Sequence, residues 1–248
     1  KILSLAVAAI ITLGFTSCEK DLGRKIFGYN YDRGVGESAQ DLVSDKAYST
    51  LRVQLIYMAS AKPDNASVDN LDDFLTQYLD KDNVVITLKE IDDQNKGKYT
   101  ISDIRSLEDK YRTVFNSDDE LSASMLFLDG GYVEDNENGS VLGIAYNNTS
   151  TVIMENTIQN SSGGIFQPSR EKLESSVMLH EFGHLMGLVN TGAPLTSSHQ
   201  DEAHGAHCDV DNCLMYYAVE TSDFVQNLMN SNIPSLDQQC LNDLDGLR

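Results

Sequence analysis

The sequence of 248 residues predicts an α/β fold with a mixed, mostly parallel sheet. Two observations predict it. Apolar and β-branched runs alternate with helix-period runs over roughly 130 residues, the pattern of strands joined by crossover helices. The chain is also 41% hydrophobic and 23% charged, enough apolar side chain for a core and too little charge for a disordered acidic tail.

The elements follow in order. Leu51 to Met58 alternates apolar and polar residues and reads as a strand, closed by a turn at Lys62-Pro63-Asp64-Asn65. Asp69 to Tyr78 places Leu71, Phe74, Leu75 and Tyr78 at helical spacing. Asn83 to Ile91 is a β-branched strand. Ser102 can cap a helix with an apolar face of Ile104, Leu107, Tyr111 and Phe115. Ser122 to Tyr132 is a third strand that turns at Gly130-Gly131, and Val141 to Met154 is a fourth extended stretch broken at Asn147-Asn148-Thr149. Pro168 and Ser169 then open a long amphipathic helix that runs into Gly187, which can take a left-handed C-terminal cap.

The N-terminal text is of another kind. Lys1 is followed by one apolar run, Ile2 to Phe15, too short to span a bilayer comfortably, then by Thr16, Ser17 and Cys18. That layout predicts a signal peptide over residues 1–17. Polar, glycine-bearing sequence follows, and residues 18–48 are expected to form a tether, with one domain over 49–248.

Charge narrows the partners. Lys and Arg number 18 against 38 Asp and Glu, a formal net charge of −20. Binding a phosphate backbone depends on cations, so nucleic acid is excluded as an expected partner.

All five histidines lie between His180 and His207. They begin with H-E-F-G-H, His180 to His184. Four residues is close to one helical turn, so both imidazoles project from one face and can reach one ion. Glu181 sits where its carboxylate approaches a water on that ion without ligating it. A catalytic zinc needs a third protein ligand, and His199, His204 and His207 are the candidates.

H-E-F-G-H-L-M-G followed by C-L-M-Y-Y, Cys213 to Tyr217, resembles the metzincin metalloproteases. Their pattern would put the third ligand at Asn190, a poor zinc donor, and here the sequence departs from it. The archaemetzincin branch has its third histidine directly before a cysteine, and His207-Cys208 through Cys213-Leu214-Met215 is similar to that spacing. The resemblance thus implies His207 as third ligand, with His199 or His204 as alternatives, and a loop inserted between Gly187 and His207. It implies Met215 as the Met-turn residue under the metal and Tyr217 as an oxyanion-stabilising side chain. It implies a metzincin-like sheet, an active-site helix, a Met-turn and a C-terminal helix. Over roughly Glu171 to Leu244 the chain is also similar to zinc-dependent lipoprotein proteases of Bacteroidetes-type bacteria.

Phe15-Thr16-Ser17-Cys18 resembles a lipobox. That implies an exported bacterial lipoprotein acylated at Cys18, tied to the cell envelope, expected at the outer membrane, by this anchor alone. Archaemetzincins hold a second, structural zinc on a cysteine cluster. Here Asp237 stands where one cysteine is expected, and a disulfide among Cys208, Cys213 and Cys240 is the expectation, with connectivity left open.

The expected activity is zinc-dependent endopeptidase cleavage of a protein or peptide, with Glu181 as general base and Val141 to Tyr146 as the edge strand that receives substrate. Two alternatives stand beside it: a zinc amidase acting on cell-wall material, and a lipid-anchored binding protein whose metal is structural. A base between the two histidines has no use in the last of these.

Overall fold

In chain order the elements are helix α1 (Ala39–Val43), strand β1 (Thr50–Met58), helix α2 (Asn65–Tyr78), strands β2 (Asn83–Ile91) and β3 (Lys98–Tyr99), helix α3 (Ile101–Tyr111), strands β4 (Glu120–Phe127), β5 (Gly131–Tyr132), β6 (Gly143–Asn147) and β7 (Ser150–Ile153), and helices α4 (Glu155–Asn160), α5 (Arg170–Leu185), α6 (Phe224–Leu228) and α7 (Gln238–Asp245). The computed structural model describes residues 31–248, apart from 137, 138, 223 and 230. The expected signal peptide and Cys18 lie outside the described residues.

Five strands form the main sheet in the order β2-β1-β4-β7-β6. All neighbours are parallel except β6, which runs antiparallel to β7. The mixed, mostly parallel sheet is therefore as the sequence predicts. Strand β1 lies between β2 and β4 and pairs Leu55 with Leu88 on one side and Met125 on the other. Its Leu51, Val53, Leu55, Ile56 and Met58 are all buried, as a strand covered on both faces requires. Strand β6 is the terminal strand beside the site, and the polar break at Asn147-Asn148-Thr149 is the turn of its hairpin with β7.

Helix α5 runs against β6 and β7. Ser169 caps it by accepting from the Lys172 amide, and every residue from Leu173 to Leu185 is buried. Past the C-cap at Met186, Gly187 takes φ 84°, and a Cβ there would lie 2.5 Å from the Ala193 amide nitrogen. Only glycine allows the chain to leave the helix by this route.

Several boundaries differ from the sequence reading. Helix α2 starts at Asn65 because Asp64, read as part of a turn, caps it through the Ala66 amide. Helix α3 is capped by Thr100, not Ser102, in a capping box with Asp103, and Phe115 falls beyond its last turn. The long strand expected from Ser122 to Tyr132 is two elements, since Gly131-Tyr132 pairs with β3 in a separate small sheet.

The packed region also begins before residue 49. Within the stretch expected as tether, α1 buries Leu42 and Val43 completely. Gly36, at φ 78°, passes so close to the loop after α5 that a Cβ would stand 2.2 Å from the Thr191 carbonyl oxygen. A helix this short, flanked by glycines, gives too little periodicity to be told from a linker.

Among the described residues, Arg112 and Glu108 form an interior ion pair. Arg112 donates to Glu108 at 2.8 Å, and both side chains are 1% exposed. The pair is satisfied all round: Glu108 accepts from Ser150 Oγ at 2.7 Å and Tyr146 Oη at 2.9 Å, while Arg112 donates to the Ser122 carbonyl at 3.0 Å. Removing the cation alone strands a buried carboxylate, which costs roughly 3–5 kcal/mol. Arg112→Met is therefore expected to lower the urea midpoint by that much stability, and a loss below about 1 kcal/mol would show that the interior ion pair is dispensable.

Candidate metal centre

Helix α5 presents His180, Glu181 and His184 within one turn, and His207 arrives from the loop that precedes Cys208. The Nε2 atoms of His180 and His184 are 3.1 Å apart. The His207 ring stands 5.3 Å from that of His180 and 5.0 Å from that of His184, centroid to centroid. One ligand atom from each imidazole and one from Glu220 all lie within 4.8 Å of each other.

Each ring is oriented by its other nitrogen. Nδ1 of His180 meets the Leu214 carbonyl at 2.7 Å, Nδ1 of His184 the Leu188 carbonyl at 3.3 Å, and Nδ1 of His207 the His204 carbonyl at 2.8 Å. A carbonyl only accepts, so Nδ1 carries the proton in all three and Nε2 keeps its lone pair. Three imidazoles thus turn their Nε2 atoms to one region.

The surroundings fit a metal ion. His207 Nε2 and both carboxylate oxygens of Glu181 are buried without a hydrogen-bond partner. Orphaned acceptors are costly inside a protein unless a cation or ordered water meets them. Three imidazoles and a nearby carboxylate are donor types compatible with a zinc ion.

Two glycines permit the geometry. A Cβ on Gly143 would lie 2.6 Å from Glu181 Oε1, so the edge strand β6 passes directly over the carboxylate. A Cβ on Gly183 would lie 2.4 Å from Met215 Sδ, which puts the buried Met215 against α5 between its two histidines.

Electrostatics follow burial. Burial pushes His180 down to about 4 and, with the neighbouring His180 and His207, His184 down to about 3. It also holds Glu181 well above the usual carboxylate range, helped by the negative charge of Glu220. His207 is raised because contact with Glu220 outweighs its burial.

The other sequence-predicted residues go elsewhere. Asn190 takes φ 58° and donates to Gln200 at 3.1 Å, because the chain has already turned away at Gly187. His204 bonds Asp201 at 2.6 Å and stacks on Tyr217, ring centroids 3.6 Å apart. His199 joins a second cluster with Cys208, Asp237 and Cys240, whose ligand atoms also lie within 4.8 Å of one another. Its Nδ1 is 3.4 Å from Cys208 Sγ, and its Nε2 donates to the buried Asp243 at 2.8 Å.

The expected disulfide is absent: Cys208, Cys213 and Cys240 are free thiols. Cys213 and Cys240 sulfurs are 3.6 Å apart, well beyond the roughly 2.05 Å of an S–S bond. Cys213 also accepts from the amides of Met215 and Asp237 at 3.4 Å each. With Cys208 and Cys240 as S–H donors, its own thiol is pushed down to about 4. A lowered thiol pKa favours the thiolate, the form that binds metal.

Sequence reasoning missed Glu220. Its Oε2 is 3.6 Å from His207 Nε2 and 3.9 Å from His180 Nε2. It ends the 3-10 turn Tyr217–Glu220, and no spacing rule used above points to it.

The fold is similar to the crystal structure of archaemetzincin from Methanopyrus kandleri, with a TM-score of 0.51 and 16% identity over 80% of this chain and 96% of that one. The chain has an archaemetzincin-like fold. No protein-family model matches it, and no curated protein matches it in sequence.

Both helix histidines titrate well below the 6.5 of a free imidazole. Between pH 6.5 and about 4 the unfolded chain therefore binds protons that the folded, metal-free chain does not, and stability falls as pH falls. Each such histidine contributes roughly 1.4 kcal/mol per pH unit in that window. Thermal melts of metal-free protein should show a shallower acid-side decline in His184→Gln than in wild type; equal slopes would contradict the buried neutral assignment.

Proposed function

We propose that this chain is a zinc-dependent endopeptidase. One observation carries the reading: three imidazoles turn their Nε2 atoms to a common region beside a buried carboxylate that has no other partner. His180, His184 and His207 would hold the ion as neutral nitrogen donors. A zinc ion so held polarises a scissile carbonyl and brings the pKa of a water to about 7.

Glu181 takes the proton from the attacking water as its oxygen adds to the peptide carbonyl carbon. It then delivers that proton to the amine nitrogen as the C–N bond breaks. In the metal-free chain Glu181 holds its proton tightly, and a dication alongside favours the charged base instead. The terminal strand β6, passing over Glu181 at Gly143, is the sheet edge on which an extended peptide would add as a further strand.

We further propose a second, structural zinc on the cluster of His199, Cys208, Asp237 and Cys240. Asp237 fills the missing cysteine's place: its Oδ1 caps α7 by accepting from the Cys240 amide at 2.9 Å, and its Oδ2 lies 3.4 Å from Cys208 Sγ. His199 then supplies the fourth donor, with Asp243 orienting it from the far nitrogen. Four protein donors leave such a site closed. As the sequence-based part of the proposal, Phe15-Thr16-Ser17-Cys18 supports export and acylation at Cys18, with the domain tied to the envelope.

Glu181→Gln is expected to keep its zinc and lose roughly 100- to 10,000-fold in peptide hydrolysis. Retained turnover would remove Glu181 from the mechanism and return the binding-protein reading. Casein-like and peptidoglycan substrates assayed together separate peptidase from cell-wall amidase. Metal analysis should find about two zinc ions per chain, falling to about one in His199→Ala and separately to about one in His207→Ala. A disulfide in place of the second ion would leave the count at about one in wild type.

A further inference from the structure

We infer that Glu220 is the fourth, displaceable protein ligand of the His180-His184-His207 metal centre, and that substrate gains the ion by pushing this carboxylate aside. The inference rests on the zinc reading given above and adds a donor to it.

Glu220 is placed for ligation and misplaced for the alternative. A carboxylate that merely orients a metal-bound histidine does so through the ring nitrogen facing away from the metal. In all three histidines that nitrogen, Nδ1, is already satisfied by a backbone carbonyl. Glu220 approaches the opposite side, the Nε2 atoms, at 3.6 and 3.9 Å.

Those separations are too long for hydrogen bonds. They are close to the spacing of donors that share one ion: bonds of roughly 2.0–2.1 Å at tetrahedral angles set neighbouring donor atoms about 3.4 Å apart. His180 and His184, at 3.1 Å between Nε2 atoms, have the same relation. His207 Nε2 is buried without a hydrogen-bond partner and faces Glu220 Oε2 at a distance that one shared ion would bridge.

The backbone holds Glu220 there. Its carbonyl accepts from the Leu142 amide at 2.8 Å, and the next residue, Thr221, bridges to Val141 just before the edge strand. The side chain is 32% exposed, whereas His180 is fully buried. Glu220 therefore covers the solvent-facing side of the centre, the side from which a peptide lying along β6 brings its carbonyl. The side chain can rotate into solvent without disturbing the backbone clip.

The test loads cobalt(II) into the full chain in place of zinc and follows its visible absorption as azide is added. An open coordination position takes the anion and the spectrum moves; a position filled by Glu220 resists it. Cobalt at the closed thiolate site adds absorption that azide leaves constant. Wild type is expected to bind azide at least about tenfold more weakly than Glu220→Ala and the size-preserving Glu220→Gln. Equal azide affinity in wild type and both variants overturns the inference and leaves the zinc centre standing. Should His180→Ala bind as much cobalt as wild type, with an unchanged spectrum, the zinc reading itself falls and takes the inference with it.

Discussion

The cluster of three thiols and His199 is the constraint on which the site depends. The helix can aim His180 and His184 unaided, but the third imidazole comes from a loop with little regular structure. Cys208 follows His207 directly, and its amide donates to the Met215 carbonyl at 2.8 Å. Cys213 accepts from the Met215 amide, and the Leu214 carbonyl between them holds His180 Nδ1. Fixing the sulfurs thus fixes His207, the ring orientation of His180 and the Met215 side chain together. Loss of the cluster would free all three at once.

Burial gives the histidine site its chemistry and its instability. Two imidazoles held near pKa 4 and 3 and a carboxylate held high are groups in the wrong solvent, and each lowers the stability of the metal-free fold. The rest of the domain offsets this with apolar strands such as β1 and with fully satisfied interior polar groups such as Glu108 and Arg112. An ion that meets the orphaned nitrogens and oxygens would remove the penalty where it arises. Folding and metal uptake would be linked for that reason.

What the sequence made legible was what obeys a short period. Strand β2 was readable residue for residue from V-V-I-T-L, and α5 from its apolar spacing, its Ser169 cap and Gly187. The proximity of His180 and His184 was legible because four residues is close to one helical turn. His207 needed the adjacent Cys208 and the run to Met215, since no periodicity links it to α5. Helix α1 was hidden by its five-residue length and glycine flank. Glu220 was hidden because its place depends on a 3-10 turn and on one backbone bond to Leu142, contacts between segments that no local pattern encodes.

The insertion between Gly187 and His207 does more than lengthen the route to the third ligand. A passive spacer would lie on the surface with its polar groups in water. Here its middle residue of interest, His199, is fully buried, and Thr196 gives both its amide and its hydroxyl to Asp243 at 2.7 Å, the carboxylate that orients His199. The loop is therefore pinned at its centre to α7 and to the thiols, while Pro194, Ser197, Ser198 and the tip from Glu202 to Gly205 are exposed. A chain that lacks one cysteine and carries a long insertion has two departures from the expected pattern. In the proposed second metal site they act together, because the inserted loop brings His199 beside Cys208, Asp237 and Cys240.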